Sequence, residues 1–133
     1  MARVIGVGGI FFLCKDAEAT KTWYTSVLGI EASEYGISFS HADSAKAFPK
    51  GAMTIFAPFK ADSDYFKPSD HDVMFNLMVD DLSGVLKQAE AAGVSPVQPR
   101  EDHDYGSFAW LMDPDGRKVE LWEPKKQPSE TGT

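Results

Sequence analysis

Few side chains in this chain can do chemistry, and they are scattered. One cysteine, Cys14, and three histidines, His41, His71 and His103, are its only thiol and imidazole groups. Cys14 lies inside the apolar run Ile10 to Lys15 with no histidine near it in sequence to activate a thiolate. It reads as a small buried hydrophobe. A single cysteine also excludes an internal disulfide and a cysteine-rich metal site. His41 falls at a strand end, His71 on the strand face opposite Met74, and His103 in an acidic loop, so the three do not converge. Glu120 is the carboxylate placed best for a task. It alternates with Lys118 and Trp122 on one face of a closing strand, Val119 and Leu121 taking the other. A carboxylate among apolar neighbours is a general base, a ligand, or an anchor for a donor or a cation. The run Gly6, Val7, Gly8, Gly9 looks like a nucleotide-binding loop, but it precedes a strand instead of opening a helix. It reads as the entry to that strand.

The elements that must position these groups come as a repeat. Gly9 to Asp16 is an apolar strand pattern ending in a capping Asp, followed by a helical segment that stops at Gly29. Met74 to Asp81 has the same form, and its helical segment stops at Gly93. Asp16 and Asp81 are good N-caps, and a glycine suits the left-handed helix stop. Trp23, Tyr24, Val27 and Leu28 fall at helical spacing, as do Leu82, Val85, Leu86 and Ala89. In the first copy, strands are expected over 30–34, 36–41 and 51–58, with a loop over 42–50. In the second, they are expected from Val97, over 107–112 and over 118–122. Asp113-Pro-Asp-Gly116 is a tight turn: proline presets φ at one corner and glycine takes a positive φ at another. Lys60 to Asp70 is polar, carries Pro68, Tyr65 and Phe66, and reads as the linker between the copies.

The chain of 133 residues is expected to be one domain. Module one spans about 1–59, the linker about 60–70, module two about 71–124, and the tail 125–133 is frayed. The net charge of −7 argues against a nucleic-acid partner, which would need clustered Lys and Arg. No apolar run is long enough to span a membrane, and the start is too short in apolar residues for a signal peptide. A reducing, cytoplasmic setting is the expectation.

Each half therefore reads strand, helix, strand, strand, strand. This order resembles the vicinal oxygen chelate superfamily, which includes glyoxalase I, bleomycin-resistance proteins and extradiol dioxygenases. The residues that carry the resemblance are Lys15-Asp16 with Trp23 to Gly29, Val79-Asp80-Asp81-Leu82, and Asp113-Pro-Asp-Gly116 with Val119 to Glu123. It implies an α+β fold in which two tandem βαβββ modules form a cupped mixed β-sheet with helices outside. It also implies a homodimer. Metal-dependent members draw ligands from the first and last strand of each module, and here those positions match Gly9, Thr54, Met74 and Glu120. Glycine offers no ligand, a thioether is weak, and one carboxylate with one hydroxyl leaves an ion mostly hydrated. The expectation is a scaffold without a metal or other cofactor, with one divalent ion as the alternative. A site from His103, Glu120 and a loop Asp is a further variant.

The implied inward faces then hold Phe11, Leu13, Phe56, Met74, Met78 and Trp122, with Thr54, Asn76 and Glu120 as the polar groups. A mostly apolar wall with a few polar groups is the composition of a small-molecule site. The leading reading is a metal-free protein binding a small aromatic or cationic organic molecule. A metal-dependent lyase, isomerase or dioxygenase is the alternative, and a metal-free enzyme using Glu120 or His103 as general base a third reading.

Overall fold

The computed structural model describes residues 1–33 and 36–126. Helix α1, Ala17–Leu28, starts where Asp16 accepts a hydrogen bond from the Ala19 amide at 3.1 Å. It ends at Gly29, whose φ of 70° is left-handed. Helix α3, Leu82–Ala91, is capped by the Asp81 carboxylate, which accepts from the Gly84 amide at 3.1 Å. A second acceptor comes from outside the helix: Glu123 Oε1 takes the Leu82 amide at 2.8 Å. That bond spends an orphan amide of the first turn and fixes α3 to the sheet.

The main sheet has four strands: β3 (Phe75–Met78), β4 (Glu101–His103), β5 (Gly106–Met112) and β6 (Lys118–Pro124). Their order is β3-β6-β5-β4, with β3 parallel to β6 and the other pairs antiparallel. The second half of the chain thus forms one βαβββ unit. Alternation along the strands sorts the faces. Phe75, Ala109, Leu111, Val119 and Leu121 are buried against Tyr24, Val27 and Leu28 of α1 and Leu82 and Ala89 of α3. Both helices therefore cover one face, and the other is left for Asn76, Met78, Phe108, Trp110, Lys118, Glu120 and Trp122 by register. The fold is α+β.

The 113–116 turn is tied by Asp113, whose Oδ1 accepts from the Asp115 and Arg117 amides, each at 2.9 Å. Its Oδ2 accepts from Tyr24 Oη at 2.8 Å and Arg117 Nη1 at 3.2 Å. Burial, and then the bond to Asp113, push the Tyr24 phenol well above its ordinary range. This polar knot joins α1 to the β5–β6 hairpin.

The first half differs from expectation. It contributes α1, a two-residue hairpin of β1 (Ala32–Ser33) with β2 (Gly36–Ile37), and a short helix α2, His41–Ala47. The predicted strand at 36–41 stops early and the predicted loop at 42–50 is largely helix. Ser40 caps it, accepting from the Asp43 amide at 3.4 Å, and its alanine-rich sequence favours the helix. The stretches 10–15 and 51–58 join no ladder among the described residues. A strand forms only where a neighbouring strand takes its amides and carbonyls; here Arg117 donates to the Leu13 carbonyl and the Gly51 and Ala52 amides turn back to the Phe48 carbonyl, none of them a ladder contact. Only one side of the first is covered: Phe12 packs on Phe75 (centroids 4.8 Å) and lies under Arg117 (5.0 Å), while Phe11 and Leu13 are 96% and 93% exposed. Cys14 is half-buried, less covered than its apolar neighbours suggested. The 101–106 loop is instead β4 with a tight turn, and Val97 makes a single bond, its amide to the Trp110 carbonyl at 2.9 Å, in place of a strand. Glu34 at the end of a predicted strand, Tyr35 after it and the tail from 127 lie outside the described residues.

Candidate functional site

The face of the sheet away from the helices is organised by Glu120, in the middle of β6. Register places Asn76 beside it on one side and Trp110 on the other. Asn76 Nδ2 donates to Glu120 Oε1 at 2.7 Å, and Trp110 Nε1 donates to Oε2 at 2.8 Å. A third donor arrives from the linker: the Tyr65 hydroxyl also donates to Oε2. Glu120 is only 7% exposed, and three donors from three parts of the chain make its burial tolerable.

Lys118 lies two residues before Glu120 on the same face and is buried. Its place on that face would allow a direct bond to the carboxylate. It instead donates to the Tyr65 carbonyl at 2.8 Å, and its ammonium lies 5.2 Å from the Tyr65 ring centroid and 5.7 Å from that of Trp110. Burial depresses the Lys118 pKa, while Glu120, Asp64 and Glu101 pull it back. The Tyr65 phenol is raised well above its ordinary range, first by burial and then by its bond to Glu120. A raised phenol stays a neutral donor. The site is thus a carboxylate that accepts from Tyr65 and Trp110 and an ammonium that lies near the rings of both.

Of the residues singled out from sequence, the structure brings Asn76, Met78, Glu120 and Trp122 onto this one face. Met74, just before β3, is half-buried. Phe11, Leu13, Thr54 and Phe56 are exposed, on the two stretches outside the sheet, with Phe56 at 88%. Sequence reasoning missed Tyr65 and Trp110. Trp110 could have been found by counting back across the 113–116 turn from Glu120, because a tight hairpin fixes register. Tyr65 carries no periodic signal.

His103 does not approach Glu120. Its Nε2 pairs with Glu101 Oε1 at 2.9 Å, and its ring stacks on Tyr105 at 5.0 Å. An open cleft of about 440 Å³ lies at that end of the sheet, lined by Asp102, His103, Ser107, Glu123 and Lys125 among others. Within it Ser107 Oγ donates to Asp102 Oδ1 at 2.6 Å, and Glu120 does not line it.

A family model described as the glyoxalase/bleomycin resistance protein/dioxygenase superfamily matches residues 6–121. The chain belongs to this superfamily. Similar solved structures include VPC_CASS1 from the mobile metagenome of V. Pseudocholerae, at 20% identity and a TM-score of 0.52, covering 90% of this chain and 99% of that one. A protein of unknown function from Agrobacterium tumefaciens str. C58 has 15% identity and a TM-score of 0.51, covering 90% and 98%. TioX from Micromonospora sp. ML1 has 14% identity and a TM-score of 0.50, covering 86% and 92%. At such identities the likeness is one of fold. No curated protein matches the chain.

Metal-dependent members of the superfamily raise the question of an ion here. The residues do not fit one. Both oxygens of Glu120 face N–H and O–H donors, which an ion would have to displace. Gly9 has no ligand atom, Met74 only a thioether, and Thr54 is exposed on a stretch outside the sheet. Among the described residues no three His, Cys, Asp or Glu side chains are grouped to hold a metal. No helix among them is long and apolar enough to cross a membrane.

Proposed function

We propose that this superfamily member is a metal-free binding protein that holds a small aromatic organic molecule on the Glu120 face of its sheet. The observation that carries this is the setting of Glu120: one buried carboxylate, ringed by hydrogen-bond donors and aromatic rings. Aromatic walls supply area and one charged acceptor supplies orientation, which is the division of labour in small-molecule sites. Met78, Trp122 and Phe108 extend the wall by register.

A homodimer belongs to the same proposal. Phe11, Leu13, Ile55 and Phe56 are exposed on two extended stretches without sheet neighbours. A second copy would cover them and would bring the remaining predicted wall residues to a site. The acidic balance and single cysteine fit a reducing, cytoplasmic setting.

The test is a thermal-shift panel of hydroxylated, unsubstituted and cationic aromatics against the wild-type protein and Glu120→Gln, with elemental analysis of the purified protein. Stabilisation of the wild type by a panel member, lost in Glu120→Gln, is the expected result. Near-stoichiometric Zn, Fe, Mn or Ni, or no stabilisation by any aromatic, would overturn the reading.

A further inference from the structure

The linker does more at this face than connect. Tyr65 brings a neutral phenol to Glu120 Oε2 and lays its ring beneath the Lys118 ammonium. Its other neighbours are few. Phe59 stacks on it at 5.7 Å, and its backbone carbonyl accepts from Lys118. The hydrogen bonds that shape this segment are local: Ser63 amide to Lys60 carbonyl at 3.0 Å, Lys67 to Asp64 at 3.1 Å, and Ser69 to Phe66 at 3.0 Å. Among the described residues no ladder bond ties it to the sheet. Tyr65 links it to β6 through its hydroxyl on Glu120 and its carbonyl on Lys118, and the side chain, 39% exposed, can rotate out while β3 and β6 stay paired.

Building on the binding function proposed above, we infer that Tyr65 is a built-in occupant of the ligand seat, and that the external ligand is a neutral hydroxylated aromatic molecule that takes its place. Three features select that chemistry. Glu120 accepts only, so the ligand must donate, and Tyr65 does so with an O–H. The ring in the seat stacks on Phe59 at 5.7 Å and lies 5.2 Å from the Lys118 ammonium, so the ligand is planar and aromatic. The buried Lys118 ammonium over the ring position attracts an electron-rich ring and repels a cation. A cationic aromatic, which the acidic net charge alone would favour, is therefore the poorer ligand. While Tyr65 is seated, apparent affinity is reduced by the fraction of molecules in which the seat is free.

The experiment uses p-cresol, toluene and benzyltrimethylammonium as probes on the full chain. Dissociation constants come from NMR titration, with the Trp110 indole N–H resonance as the local reporter. Tyr65→Ala is expected to bind p-cresol about tenfold or more tightly than wild type, with a shift of the Trp110 signal. Toluene and the cation should bind that variant about tenfold or more weakly than p-cresol, the worth of one hydrogen bond to a charged acceptor. Tyr65→Phe keeps the ring and loses only the hydroxyl, so it carries the test should Tyr65→Ala not fold, and it too should bind p-cresol more tightly than wild type. Equal p-cresol affinity in wild type and the Tyr65 variants, or toluene or the cation matching p-cresol, would overturn the inference. A wild-type ligand that is found in the panel but is indifferent to Tyr65 overturns this inference alone. If neither wild type nor any Tyr65 variant binds an aromatic, the binding function falls with it.

Discussion

Replacing Glu120 by glutamine sets two large effects against each other. The carboxylate accepts from Asn76 Nδ2 at 2.7 Å, from Trp110 Nε1 at 2.8 Å and from the Tyr65 hydroxyl. Hydrogen bonds to a charged group contribute about 1.5–3 kcal/mol each and neutral ones about 0.5–1.5. An amide oxygen in the Oε2 position keeps Trp110 and Tyr65, both weakened. Its NH2 then faces Asn76, whose exposed side-chain amide can flip to accept. Three bonds each weakened by about 1 kcal/mol give a loss of about 3 kcal/mol, with Tyr65 at the low end because it is partly exposed. Buried Lys118 also loses its negative neighbour. Against this stands the relief of no longer burying a carboxylate, which can make such a replacement neutral or stabilising. With three donors already aimed at it, the first effect should win, for a net destabilisation of about 2–3 kcal/mol. Urea unfolding followed by tryptophan fluorescence measures it, with an unchanged m-value as the sign of an intact two-state fold. A Glu120→Gln protein within about 0.5 kcal/mol of wild type, or more stable, would refute the reasoning.

Tyr24→Phe removes a donor from buried Asp113 but leaves Arg117 on it. It should cost about 1.5–3 kcal/mol in denaturant unfolding, and an unchanged midpoint would count against the knot. Leu121→Ala empties a fully buried position between sheet and helices, with an expected loss of about 2–5 kcal/mol by the same assay; a loss below that range would mean the core collapses onto the gap. Asp81→Ala takes the cap from α3, for an expected loss of about 1 kcal/mol. Tyr24 and Tyr65 both have phenol pKa values raised above 10.0. The unfolded chain therefore loses those protons first. Their contribution to stability is whole below pH 10 and is lost as pH rises from there toward the folded values. Tyrosinate absorbance at 295 nm should lag in the folded protein relative to the urea-unfolded one above pH 10, and coincident curves would contradict both environments.

How much could be read from the sequence divides along physical lines. Both long helices were legible because a capping Asp, an apolar stripe and a stop glycine agree at each, and Asp16, Asp81 and Gly29 do what their chemistry suggests. The β5–β6 hairpin was legible because Asp113-Pro-Asp-Gly116 admits few conformations, and it put Lys118, Glu120 and Trp122 on one face. The stretches around Phe11 and Phe56 were not, because alternation marks a segment fit to be a strand and does not supply the neighbour that would make it one. Helix α2 escaped because a short polar run capped by Ser40 has the same composition as a loop. Tyr65 escaped for a deeper reason: its role is set by where a non-periodic linker crosses the sheet, which no local pattern records.

The binding proposed for this face rests on an acceptor in place of an ion. A metal site needs several donors converging on one empty point. Here the convergence is reversed: Asn76, Trp110 and Tyr65 converge as proton donors on one acceptor, Glu120. Such an arrangement cannot recruit a cation without first being dismantled, since each N–H or O–H would point at the incoming charge. The proposed exchange of the phenol for another donor leaves in place the acceptor, the flanking donors and, through the Tyr65 backbone carbonyl, the Lys118 ammonium. Of the three, Asn76 and Trp110 are held by the β3–β6–β5 ladder, and only Tyr65 sits on a segment shaped by local bonds. On the binding proposed above, the exchangeable position is therefore the phenol's, and Tyr65 sets the chemistry of what would replace it.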